Sequence, residues 1–179
     1  MPDFYALDGL EQLAVNLFYG WGYNFYRLEN QLRADDLTLR AQVGGLLGQA
    51  RSSVESAESA FRAAFLPPPS REKPRPDPSA IAAAQALEKL SAAIGSLEGQ
   101  IRAQPAPEND RMTQRYRNEA ATLQKLFQCD MKLAARAELL RTLLNGKDGG
   151  WMVENAPAVR EGLKAIEAAL REREDVLVV

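Results

Sequence analysis

The chain has 179 residues, 46% of them hydrophobic and 26% charged, with 22 lysines and arginines against 24 aspartates and glutamates. That length buries a core without disulfide or metal staples, the composition is that of a folded chain, and the balanced charge offers no excess of cations to hold a nucleic-acid backbone. There is no histidine and one cysteine, Cys129, so the commonest general base and metal ligand is missing, and neither a disulfide framework nor a thiolate zinc site forms within one chain.

The N-terminal Met1-Pro2-Asp3-Phe4 has no basic leader, and no apolar run approaches the ~18 residues of a membrane span, so a cytosolic protein is expected. Residues 1–66 contain no proline after Pro2 and carry an apolar stripe, Ala14, Phe18, Trp21, Phe25, Leu28, Leu32, Leu39, Val43, Leu46 and Ala50, at helical spacing. A continuous rod from Asp8 to Phe65 would be roughly 85 Å long, more than its partners cover, so a break is expected. Gly20-Trp21-Gly22, Asp35-Asp36 and Gly44-Gly45 are the candidates. Asp35-Asp36 is favoured, because a capping aspartate satisfies free amides whereas glycine only weakens a helix.

Eight of the thirteen aromatic residues lie between Phe4 and Tyr26. On a helix running through residues 8–33, Phe18, Trp21, Phe25, Leu28 and Leu32 form one row, and Tyr19, Tyr23, Tyr26, Asn30 and Arg33 form a second about 145° away. A strip of Asn16, Gly20, Asn24, Arg27 and Gln31 lies apart from both rows. A surface helix needs one apolar face, so a helix with two is either central in its bundle, with Tyr hydroxyls at the rim, or keeps a face for something else. Tyr, Trp and Arg are the residues enriched at binding hot spots. The candidate binding residues are therefore Tyr19, Trp21, Tyr23, Asn24, Tyr26, Arg27, Asn30 and Arg33. Gly20 and Gly22 mark a helix break or a place where another helix or a flat ligand meets bare backbone. Glu29–Arg33 and Asp36–Arg40 are acid-before-base pairs one turn apart, expected on the surface. No further Asp follows Asp35-Asp36 one turn on, so they make no magnesium motif.

Residues 67–78, with Pro67-Pro68-Pro69, Pro74, Pro76 and Pro78, form an exposed, extended linker. Residues 79–103 then run as a helix from Ser79 as N-cap, with Leu87, Leu90, Ile94, Leu97 and Ile101 inward; Gly95 and Gly99 suit a tight helix contact. Past Gln104-Pro105-Ala106-Pro107, a helix of about 35 residues starts at Asn109 or Asp110, carries Tyr116, Leu123, Phe127 and Ala134 on a face widened by Leu126, Leu133, Ala137, Leu140 and Leu144, and stops at Asn145-Gly146. Residues 145–150 read as a break. The last helix opens at Asn155 and turns Val159, Leu163, Ile166 and Leu170 inward.

One all-α domain spanning residues 1–179 is expected: a four- or five-helix up-down bundle with a Pro-rich crossover linker. Without a catalytic or cofactor motif, the leading expectation is a non-enzymatic accessory protein. It would bind another protein, or its own copy, through the aromatic helix of residues 16–33. A second reading is a module for a small hydrophobic or flat anionic ligand held by Trp21, Tyr23 and Phe25 with Arg27 or Arg33. A third is an enzyme needing two or more of Glu29, Asp35, Asp36 and Asp130 to converge in a cleft. No cofactor, metal, nucleic acid or membrane is expected. Cys129 is expected to be a buried structural thiol, and the apolar tail to dock on its own bundle.

Overall fold

The computed structural model describes residues 3–5, 7–22, 31–68, 75–104 and 120–178, and these hold six helices and no strand. We label them α1 (Leu7–Trp21), α2 (Gln31–Phe65), α3 (Pro78–Ala103), α4 (Ala120–Leu144), α5 (Gly149–Glu154) and α6 (Ala156–Val178). The all-α bundle predicted from the apolar periodicity is what forms.

Each long helix buries one stripe. On α3 it is Ala80, Ala84, Leu87, Leu90, Ile94, Leu97 and Ile101; on α6 it is Val159, Leu163, Ile166 and Leu170; on α4 it includes Leu126, Leu133, Ala137, Leu140 and Leu144. These side chains meet Leu39, Val43, Leu47, Ala50 and Val54 of α2 in one continuous core. A fully buried Leu or Ile stabilises the fold by about 1.5–3 kcal/mol, and the summed burial is what holds helices of these lengths. α2 and α3 run antiparallel, Gly44 lying against Arg102, Gly95 against Arg51 and Arg62 pairing with Glu88. α4 and α6 do the same, with Asp130 facing Arg173 and Lys132 facing Glu172. α1 packs along α4 in the opposite sense, through a small satellite cluster of Leu10, Ala14 and Ala135 and through Phe18 against Phe127.

Local rules fix most of the ends. Asp77, rather than Ser79, caps α3: its carboxylate accepts the amide of Ser79 at 2.9 Å, and Pro78 takes the first turn, where its missing N–H costs nothing. α4 ends at Leu144, and Gly146 adopts the left-handed φ of +68° that makes glycine the usual residue after a helix. The break expected over residues 145–150 is shorter than its glycines suggest. Asp148 accepts the amide of Trp151 and starts α5, with Gly149 inside it because a Cβ there would lie 2.9 Å from Phe61 Cβ.

The favoured break at Asp35-Asp36 is wrong. Both residues lie inside α2 and are buried, while α1 stops at Trp21 with Gly22 at a left-handed φ of +73°. Of the three candidates, Gly20-Trp21-Gly22 is the one that interrupts a helix. No single helix spans residues 8–33. Gly99 shows no tight contact, and Gly95 meets the Arg51 side chain rather than a second backbone. The predicted starts of the fourth long helix, Asn109 and Asp110, lie outside the described residues. Of the linker, Pro67, Pro68 and residues 75–78 are exposed. Val176, at the start of the apolar tail, packs against the core.

Candidate functional site

α1 divides its aromatic residues between core and solvent. Phe18 is fully buried, its ring centroid 5.9 Å from Trp21 on one side and 5.9 Å from Phe127 on the other, both tilted. Such tilted pairs add a little beyond simple burial. Trp21 is half-buried against the main core. Tyr19, between Phe18 and Trp21 in the chain, is 77% exposed. Beside it on the outer side of α1, Asn16 is also exposed and accepts a hydrogen bond from Gln12 at 3.1 Å.

Among the predicted binding residues, then, Trp21 and Tyr19 are placed on opposite sides of α1. Arg33 belongs to the first turn of α2, its side chain outside the described set. Tyr23, Asn24, Tyr26, Arg27 and Asn30 lie outside the described residues, as do Phe25, Leu28 and Glu29.

Two of the four carboxylates singled out in the sequence do come together. Arg173 of α6, 1% exposed, donates from Nε to Asp130 Oδ1 of α4 at 2.7 Å and from Nη2 to Asp36 Oδ1 of α2. Asp36 Oδ2 in turn meets Arg40 Nη2 at 2.7 Å, and Arg40 donates from Nη1 to the carbonyl of Gln104 at the end of α3. The Asp36–Arg40 pair expected on the surface is therefore buried, and it closes a network touching all four long helices. Asp36 and Asp130 both meet Arg173 away from solvent, which ties α2, α4 and α6 together. Among the described residues no group of three or more Cys, Asp or Glu side chains is arranged to hold a metal ion.

Cys129 is buried beside this network, and burial first, then the charge of Glu172, pushes its thiol above the ordinary range. An open depression of about 410 Å³ lies at the other end of the bundle, between Arg62 and Leu66 of the α2 terminus and Ile81, Gln85 and Glu88 of α3. Trp21 is not among its lining residues. Among the described residues no helix is long and apolar enough to cross a membrane.

Sequence reasoning missed Arg173 and Arg136, although both carry a signal. Arg173 continues the stripe Val159, Leu163, Ile166, Leu170 by one more step of three, and Arg136 falls between Leu133 and Leu140 in the same register. No family model matches the chain, and neither a curated protein nor a solved structure shows significant similarity to it.

Proposed function

We propose that the protein is a non-enzymatic helical interaction protein of the cytosol that binds another protein, or a second copy of itself, through the aromatic segment of residues 16–33. The observation supporting this is the division on α1. Phe18 and Trp21 face the core, so Tyr19, first member of the second aromatic row, is left 77% exposed on the other side of the helix. A tyrosine offers large contact area at low entropic cost and a polar handle, which is why it recurs at interface hot spots. The residues that continue that row in sequence are Tyr23, Tyr26, Asn30 and Arg33.

The test is Tyr19→Ala, alone and with Tyr23→Ala and Tyr26→Ala. An exposed substitution changes stability by less than about 0.5 kcal/mol, whereas loss of a hot-spot tyrosine weakens a complex by about 1.4 kcal/mol or more, tenfold in Kd. Dimerisation of the purified chain, measured by sedimentation, and the affinity for a co-purifying protein are the readouts, with circular dichroism as control. Unchanged association in the triple variant, or its collapse to an unfolded chain, sinks the reading.

A further inference from the structure

A glycine in the middle of a long helix costs about 1 kcal/mol relative to alanine, so Gly162 in α6 calls for a reason. The reason is Phe4. A Cβ at Gly162 would lie 2.7 Å from Cζ of the Phe4 ring and 3.0 and 3.2 Å from its two Cε atoms, and the ring is 4% exposed. Two further anchors hold the same short segment. The Phe4 carbonyl accepts from Arg136 Nε of α4 at 3.0 Å, and Tyr5 donates its phenol to Glu161 Oε1 of α6 at 2.9 Å while its ring lies 5.4 Å from the Arg136 guanidinium. Asp3 fixes the backbone between them by accepting the Tyr5 amide at 2.9 Å.

Arg136 makes the seat conditional. It is 5% exposed, and its second hydrogen bond goes to the carbonyl of Ala165 at 2.7 Å. Among the described residues no carboxylate ion-pairs with it; Glu172, the acid acting on it through space, is bonded to Lys132. Burial accordingly draws its guanidinium below the ordinary range. A buried guanidinium of this kind depends on every acceptor it has, and the N-terminal segment supplies one of two and the ring as well. α1, joined to that segment, packs on α4 far more than on any other helix.

We infer that the groove between α4 and α6 is a recognition site for an aromatic dipeptide segment, read by the Gly162 floor, Arg136 and Glu161, and that residues 3–5 occupy it as a releasable clasp holding α1 on the bundle. The fit is specific in three ways. The pocket takes one ring where a side chain is missing, the guanidinium takes the carbonyl of that same residue, and Glu161 takes the phenol of the next. Release of the clasp uncovers a buried cation and frees α1, with Phe18 and Trp21, from its N-terminal side. Its bearing on partner binding rests on the aromatic-segment reading above; the clasp itself does not.

Hydrogen exchange read by mass spectrometry on the full chain tests it with Phe4→Ala and Gly162→Ala. Gly162→Ala is the sharper variant because its two effects have opposite sign: alanine strengthens α6 as a helix former and evicts the ring from its seat. Amides of residues 7–21 should exchange at least tenfold faster in both variants, while α2 and α3 keep their protection and α6 of Gly162→Ala is unchanged or slower. A synthetic peptide of residues 1–8, added at the millimolar concentration that a short tether supplies in cis, should bind Phe4→Ala and slow exchange of α6 around Gly162 while leaving α1 exchange fast, and should do neither in Phe4→Ala/Gly162→Ala. Unchanged α1 exchange overturns the clasp, failure of the peptide overturns the recognition site, and unfolding of the whole bundle makes Phe4 ordinary core and overturns both. If the variants free α1 yet dimerisation and partner affinity stay as in the parent chain, the clasp stands and the aromatic-segment reading falls.

Discussion

Two arginines link α4 and α6 from positions of nearly equal burial, Arg173 at 1% exposure and Arg136 at 5%, and they are satisfied in opposite ways. Arg173 spends its charge on two carboxylates carried by helices of the core, Asp130 and Asp36. Arg136 has no such partner among the described residues and relies on two main-chain carbonyls and a tyrosine ring, one carbonyl and the ring coming from residues 3–5. The first arrangement cannot loosen without taking the shared cation from two buried carboxylates at once, so it belongs to the part of the molecule that opens only on global unfolding. The second leaves no anion behind when its partners depart, so it can open locally.

The comparison breaks most decisively at Arg173. Replacing it by methionine removes the cation between Asp36 and Asp130, and loss of one partner of a buried pair costs about 3–5 kcal/mol. Urea denaturation should show that loss as a lower midpoint of one cooperative transition. Replacing Asp36, Arg40, Asp130 and Arg173 together by Leu, Met, Leu and Met should recover most of it, because packed apolar groups in place of buried ion pairs are often neutral or stabilising. Arg136→Met is the matched experiment. Among the described residues it strands no carboxylate, so the global cost should fall to about 2 kcal/mol, the worth of two ordinary hydrogen bonds, while exchange of α1 rises as it does when Phe4 is removed. Equal global costs for the two methionine variants would abolish the distinction.

Cys129 reports on the same contrast without a stability measurement. Its thiol is buried and held protonated by burial and by Glu172, so an aromatic disulfide reagent at pH 8 should modify it far more slowly than an exposed cysteine. Arg173→Met, which disturbs the helix surface next to Asp130, should speed that labelling. Arg136→Met, two turns along α4, should leave it as in the parent chain.

The core was legible in the sequence because its rule is one-dimensional. Steps of three and four identify Leu87, Leu90, Ile94, Leu97 and Ile101 on α3, and Val159, Leu163, Ile166 and Leu170 on α6, and every one of these is buried. The same steps also contain Asp36, Asp130, Arg136 and Arg173. A charged side chain in a core register reads locally as a surface residue, and only the partner on another helix turns it into a buried one; that partner is 137 residues away for Asp36 and Arg173. The misplaced break has the same origin. Asp35-Asp36 looks like a helix start when the alternative use of Asp36, pairing with Arg173 and Arg40 from the second turn of α2, is invisible. Gly22 could have been preferred on local grounds, since a left-handed residue ends a helix more surely than a potential cap begins one. The division of aromatics on α1 was half legible: the wheel separates Phe18 and Trp21 from Tyr19, but which row meets α4 depends on Phe127, over a hundred residues on. Nothing in the local pattern announced Phe4, because residues 3–5 are too short to show a period and Gly162 too isolated to signal a seat.

The smallest effect concerns the outermost of the three clasp anchors. Tyr5 donates its phenol to Glu161, and that hydrogen bond, with some burial and the nearby negative charge, raises the phenol above its ordinary range. A folded-state value above the unfolded one means the contribution is fully present below the unfolded pKa of about 10 and is lost as pH rises through the folded value. Exchange of α1, corrected for its intrinsic pH dependence, should therefore be flat through neutral pH and accelerate only in the alkaline range, with Tyr5→Phe slightly faster at neutral pH and lacking the alkaline step. The half-exposed ring and its proximity to solvent keep the change small beside that of Phe4→Ala. An alkaline step that survives in Tyr5→Phe would assign the titration to another group and leave Phe4 and Arg136 as the whole of the clasp.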